Sequence, residues 1–152
     1  MIDLALIWVG IIGLGVLIYV VMDGFDLGIG ILFPFIQDHQ ERDVMMNTVA
    51  PVWDGNETWM VLGGASLYAA FPLAYATVLS ALYLPITFMV VALIFRGVAF
   101  EFRFKATRTK YLWDQAFIWG SILSSFFQGV ILGAYIQGIE TTHGIYSGGA
   151  WD

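Results

Sequence analysis

Residues 58–95 read TWMVLGGASLYAAFPLAYATVLSALYLPITFMVVALIF, an unbroken run of 38 residues without a formal charge. A helix rises about 1.5 Å per residue and the hydrocarbon core is about 30 Å thick, so this run is too long for one crossing and suits two. It predicts a helical hairpin. The turn falls around Phe71 and Pro72, where Tyr68 and Tyr75 take interfacial aromatic positions. Pro85 lies inside the second arm and predicts a kink.

The flanking sequence extends the same pattern. Pro51 is tolerated in a first helical turn, so the first arm of the hairpin starts upstream of Thr58, near Asn47 or Thr48. Residues 4–22 carry no charge, and after Asp23 and Asp26 the apolar character resumes over 27–36. This predicts a long first helix, loosened by Gly28 and Gly30 and ending near Pro34. Residues 37–43 read as a wet loop. A last apolar stretch runs from 115 to 139, bounded by Asp114 and Glu140, and the glycine-rich tail 141–152 reads as loop. The expectation is an all-α polytopic membrane protein. Its four-helix bundle fills residues 1–140, with spans at about 4–36, 48–71, 73–97 and 114–139.

Composition agrees. Hydrophobic residues make up 59% of the 152 and charged residues 12%, against roughly 25% in soluble domains. The net charge of −6 lies on scattered acids, and six basic residues are too few for a nucleic-acid surface. With no cysteine there is no disulfide, thiolate metal site or thiol catalysis. Met1, Ile2 and Asp3 lack the positive region of a signal peptide, so the first segment reads as a retained helix.

In a four-helix arrangement the connections 37–47 and 96–112 share one face. They hold Arg42, then Arg96, Arg103, Lys105, Arg108 and Lys110, which are all the basic residues of the chain. The positive-inside rule makes that face cytoplasmic and puts the amino terminus and the tail outside.

Four acids lie near the same side. Asp23 and Asp26 are three apart, as are Asp54 and Glu57, so within helices each pair shares a face. An aspartate at a helix centre costs about 2.5 to 3.5 kcal/mol on insertion scales, so such groups face a bundle interior, water or a partner. Burial and a neighbouring carboxylate favour the neutral form of a carboxyl group, which suits these residues to exchanging protons. The plainer reading puts them at helix ends, with Asp54 as N-cap and Glu57 completing a capping box. Arg96, Glu101 and Arg103 read first as topology and headgroup contacts, with an ion pair from Glu101 to one of the arginines as a further option. Gln128 suits an interhelical hydrogen bond, and Gly63 with Gly64 and Gly129 with Gly133 suit close helix packing. His39 falls in the polar loop and His143 in the tail, while Met60 and Met89 read as core filler. The chain thus offers no convincing haem pair, copper site or iron–sulfur site, and any redox chemistry would have to occur in another subunit.

Three strings carry a family resemblance: Asp-Gly-Phe-Asp-Leu-Gly-Ile-Gly at 23–30, Ala-Pro-Val-Trp-Asp-Gly-Asn-Glu-Thr-Trp at 50–59, and Phe-Arg-Gly-Val-Ala-Phe-Glu-Phe-Arg-Phe-Lys at 95–105. In this order they resemble subunit II of the cytochrome bd-type quinol oxidases, along essentially the whole chain. The resemblance implies a bacterial inner-membrane respiratory complex. Subunit I holds haem b and haem d, oxidises quinol and reduces oxygen to water, and the overall reaction is electrogenic. It implies a haem-free subunit II that packs against subunit I and lines a proton path from the cytoplasm. The path acids map onto Asp26 and Asp54, with Asp23 and Glu57 as helpers. Some relatives hold a structural quinone or lipid, for which Trp53 is the candidate wall, and a small accessory subunit is a further partner. Family subunits also have a second bundle related to the first by pseudo-symmetry, so the sequence reads as an amino-terminal half. Two other readings fit intramembrane acids: a proton-coupled transporter, for which no duplicated acid motif is visible, and a noncatalytic scaffold.

Overall fold

The computed structural model describes residues 3–142 and 145–148. Among these the chain is helical apart from one small strand pair. The helices are α1 (Leu4–Leu32, continued by a 3-10 turn at Phe33–Phe35), α2 (His39–Val49), α3 (Trp53–Ala70), α4 (Pro72–Ala81), α5 (Tyr83–Phe102) and α6 (Lys110–Gln137). Asp3 caps α1 by accepting from the Ala5 N–H at 3.0 Å, and Asp38 caps α2 by accepting from the Gln40 N–H at 2.6 Å. At the far end of α6, Gly138 adopts a φ of 92°, which a side chain would disfavour, and the helix stops there.

Three helices are long and apolar enough to cross a membrane among the described residues: α1 with its 3-10 turn, α5 and α6. The expected fourth, α3, has 18 residues and carries Asp54, Asn56 and Glu57 in its first turns. The hairpin over 58–95 reverses in two steps. The chain breaks at Phe71 and again at Leu82, with α4 between, so α5 begins at Tyr83 and not at 73. Pro85 therefore kinks nothing. It occupies the first turn of α5, where a missing N–H costs no hydrogen bond.

The predicted wet loop also differs. Asp38 starts a helix there, and α2 buries Met46 and Val49, so Asn47 and Thr48 belong to α2 and not to the next span. Pro51, which cannot donate to the helix ladder, falls in the break before Trp53. In the tail, Thr141–Thr142 pairs antiparallel with Ile145–Tyr146, where a loop was expected; β-branched and aromatic residues favour extended backbone. His143 lies outside the described residues.

Helix α6 lies between α5 and α1, and α1 in turn lies against α3. Trp53 stands over Gly97, where an added Cβ would meet its ring at 3.1 Å, and this closes α3 onto α5. One apolar cluster (Phe33, Met46, Val49, Ala99, Phe100, Phe117, Ile118) fills the end at which α1 finishes and α6 begins. A second (Leu27, Met89, Leu93, with Met60 beside it) lies deeper. Outward faces stay apolar and exposed, as at Leu6, Leu14 and Leu17 on α1.

Among the glycines, Gly120 is the one where an added Cβ would run into the backbone of a neighbouring helix most closely. A Cβ there would sit 2.8 Å from the Ala92 carbonyl oxygen and 2.9 Å from the Arg96 nitrogen. Among the predicted packing glycines, Gly63 meets Val16 on α1 at 3.4 Å, whereas Gly64, Gly129 and Gly133 face open space. Gly120→Ala is expected to prise α5 from α6 at a cost of about 1–3 kcal/mol, the range for overpacking. Thermal unfolding of the purified protein checks this, and an unchanged midpoint would refute so tight a contact.

Candidate functional site: a carboxyl cluster around Arg96

Asp23 and Asp26 lie six to nine residues before the end of α1, about 9–14 Å inside the helix at its usual rise. Both are fully buried, as is Arg96 on α5. One guanidinium nitrogen, Arg96 Nη2, donates to Asp23 Oδ1 at 2.6 Å and to Glu57 Oε2 at 3.0 Å. Asn56, the neighbour of Glu57 on α3, donates from Nδ2 to Asp26 Oδ2 at 3.0 Å. Asp23 from α1 and Glu57 from α3 thus share one cation on α5, with the Asp26–Asn56 pair beside them. Asp23 Oδ2, Asp26 Oδ1, Arg96 Nε and Arg96 Nη1 are buried without a protein partner. Three carboxyls and one guanidinium are therefore gathered in the apolar interior.

Asp54 stands apart from this centre. It is exposed, in the first turn of α3, and the N-cap is Val52, whose side chain accepts no hydrogen bond. The capping-box arrangement is therefore absent, because the helix starts two residues too early for Asp54 to cap it. Asp54 instead lines a groove of about 460 Å³ between α3 and α5, together with Trp53, Glu57, Gly97 and Glu101. Trp53 stacks on Phe100 at 5.2 Å and forms part of that wall. The groove joins open surface at Asp54 to Glu57, and Glu57 reaches Arg96.

The basic residues divide in a way their sequence positions do not foretell. Lys105 and Arg108 are exposed, but Arg96 and Arg103 are completely buried, which overturns their reading as headgroup contacts. Arg103 Nε donates to Asp114, and its Nη1 donates to Asp43 at 2.6 Å. Lys110 Nζ donates to Asp43 at 2.9 Å, and Arg42 Nη1 donates to Asp114 at 3.4 Å. The Arg42 and Arg103 guanidiniums both lie on the Phe33 ring, 5.2 and 5.3 Å from its centre. This second cluster ties α2 to the α5–α6 connection. Glu101 pairs with exposed Lys105 at 3.1 Å and not with an arginine.

Sequence reasoning missed Asn56, Asp43, Asp114 and the pairing of Arg96. A lone arginine between Phe95 and Gly97, after 38 uncharged residues, was the available signal, since such a charge needs a buried partner. Gln128 does bridge helices as expected: its Nε2 donates to the Tyr19 hydroxyl at 2.7 Å. Met89 is buried, and Met60 packs against the deeper core. His39 is exposed at the start of α2, and no three His, Asp or Glu side chains among the described residues come together as a metal site.

Burial pushes the Asp43 carboxyl up, but the hydrogen bonds and charges of Lys110 and Arg103 outweigh it and hold the group below its ordinary value of 3.8. A carboxyl depressed by folding stabilises fully above its unfolded value, and the contribution is lost as pH falls through the folded one. Asp43→Asn should therefore lower thermal stability at neutral pH, with the gap to wild type closing below about pH 4. Melting curves at stepped pH check this; a gap that persists at the acid end would contradict it.

The family profile described as cytochrome bd terminal oxidase subunit II matches residues 4–152. The chain is similar to the cytochrome bd ubiquinol oxidase subunit 2 of Bacillus subtilis (strain 168), 39% identical over 140 residues, covering 90% of this chain and 40% of the relative. It is 37% identical over 139 residues to the cytochrome bd-I ubiquinol oxidase subunit 2 of Escherichia coli (strain K12), covering 90% and 37%. A probable cytochrome oxidase subunit 2 of Haemophilus influenzae is 35% identical over 136 residues, covering 84% and 36%. The chain spans about two fifths of the length of these relatives.

Proposed function

Because this chain belongs to the cytochrome bd terminal oxidase subunit II family, we propose that it works in a bacterial inner-membrane quinol oxidase as the haem-free subunit that leads protons toward the site of oxygen reduction. Haem b and haem d sit in the partner, subunit I, against which the exposed apolar faces of this chain pack; a small accessory subunit and a structural quinone beside Trp53 fit the same assembly. Helix α3 crosses with α1, α5 and α6 as the fourth member of the first of two pseudo-symmetric bundles. Its charged first turns are sheltered by Arg96 and by the partner. The end that holds Arg42, Arg103 and Lys110 faces the cytoplasm, because basic residues are retained on that side.

The observation that carries the reading is the meeting of Asp23 and Glu57 on Arg96 between apolar helices, with Asp26 beside them on Asn56 and Asp54 at the mouth of a groove leading to Glu57. Asp54 takes protons from water and passes them along the groove to Glu57. Asp26, held by Asn56 beside Glu57 with its second oxygen unpartnered, takes them next. Asp23 is the counter-ion of Arg96 and stays in place. Buried acids at such a position are a mark of proton relays.

The test is quinol-dependent oxygen uptake by the complete, assembled oxidase. Asp54→Asn or Asp26→Asn should lower turnover by about tenfold or more, equivalent to about 1.4 kcal/mol of barrier, with haem content unchanged. Wild-type turnover with intact haems in both variants would remove the relay.

A further inference from the structure

Ser121 and Ser124 are both completely buried on α6, and they differ in one respect. Ser121 Oγ donates to the Phe117 carbonyl of its own helix at 2.8 Å. Ser124 Oγ has no partner among the described residues, and a buried hydroxyl is costly to leave so. Contacts on either side of Ser124 fix its level in the bundle. Toward α1, Ser121 lies against Gly30, and Gln128 Nε2 donates to the Tyr19 hydroxyl at 2.7 Å. Ser124 falls between these two contacts, as Asp23 and Asp26 fall between Tyr19 and Gly30. Toward α5, a Cβ on Gly120 would come within 2.9 Å of the Arg96 nitrogen, and Phe127 stacks on Phe88 at 5.3 Å. Ser124 falls between these as well, one turn from Gly120, on the side to which the Arg96 side chain leans. The unpartnered hydroxyl thus stands level with the four unpartnered atoms of the carboxyl cluster, Asp23 Oδ2, Asp26 Oδ1, Arg96 Nε and Arg96 Nη1.

We infer that Ser124 closes a buried water site against Asp23, Asp26 and Arg96, and that this water carries the proton onward from Asp26. The two carboxylate oxygens accept, the two guanidinium nitrogens donate, and the hydroxyl does both. Their common ligand is small and neutral and both donates and accepts. An anion would meet the carboxylates, and a metal cation would meet the guanidinium. Five such atoms provide for about two waters at about three hydrogen bonds each. The relay needs them, because the one partner of Asp26 is the Asn56 amide nitrogen, which only donates. In the onward step Asp26 gives its proton from Oδ1 to a water oxygen, while that water gives one of its own protons to the next water toward α6. One O–H bond breaks as another forms, and the water is regenerated. Asp23 stays with Arg96 and uses its second oxygen to orient the water. Ser124 is a positioning residue that holds the same water from the α6 wall.

This inference rests on the proton-path reading, and its experiment tells their failures apart. Redox-induced infrared difference spectra of the assembled oxidase, taken in ordinary water and in water labelled with heavy oxygen, should show an isotope-sensitive O–H band of internal water. Ser124→Ala should lose that band and slow quinol-dependent oxygen uptake by about threefold or more, the scale of one lost hydrogen bond, with haem content unchanged. Ser121→Ala, whose hydroxyl is satisfied within its helix, should leave both at wild type. A map of the wild-type complex at a resolution that shows water should place an ordered molecule within hydrogen-bond distance of Ser124 Oγ and of Asp23 or Asp26. A Ser124 hydroxyl bonded there to its own helix or to a partner side chain overturns the inference. So does a Ser124→Ala complex that keeps the band, or a Ser121→Ala complex that loses it equally. If Asp26→Asn is slow while Ser124→Ala keeps both band and turnover, the relay stands and the water site falls. Wild-type turnover in both Asp26→Asn and Asp54→Asn removes the relay, and with it the carrying role of the water, whatever the band shows.

Discussion

A guanidinium enclosed by apolar helices cannot be left without a counter-charge, and that constraint organises the bundle around Arg96. Arg96 is fully buried on α5, and breaking a buried pair by removing one partner costs about 3–5 kcal/mol because the other charge is stranded. Asp23 and Glu57 therefore have to reach it, which brings α1 and α3 to the same face of α5. Gly120 lets α6 approach the backbone at Arg96, and Gly97 lets the Trp53 ring lie beside it. The small residues and the charge work together: the glycines permit the close approach, and the ion pairs give it a single register.

The two charged clusters have opposite balances. The one at the helix ends has three cations, Arg42, Arg103 and Lys110, against Asp43 and Asp114. It staples α2 to the α5–α6 connection around the Phe33 ring and is partly open to water. The inner cluster has three carboxyls against one cation and is almost closed. The rim thus gathers cations around an aromatic ring, while the interior gathers carboxyls around a single guanidinium. Separation by depth lets one helix bundle carry both.

Helix α3 is where these demands conflict. With 18 residues and first two turns containing Asp54, Asn56 and Glu57, it is less apolar than its long neighbours, yet it supplies two of the groups around the inner cluster and one wall of the groove. Its polar end is tolerated because α5 provides Arg96 and α1 provides Asp26 as partners.

Much of this was legible in the sequence. The uncharged stretches identified α1, α5 and α6 as long apolar helices, because hydrocarbon-spanning length is a local property of composition. The three-residue spacing put Asp23 and Asp26 on one face, and the motif strings pointed to the family. Other features were not local. A polar stretch hid α2, since its burial of Met46 and Val49 depends on a distant core. The reversal at Phe71 and Leu82 depended on where α4 could pack, and the fate of Arg96 and Arg103 on which acids other helices would bring. Sequence by itself determined that acids and basic residues lie near one end of an apolar helical chain. Only the tertiary structure decided which of them meet, because a charge's partners are chosen across separate helices, up to 73 residues away along the chain, where no periodicity reaches.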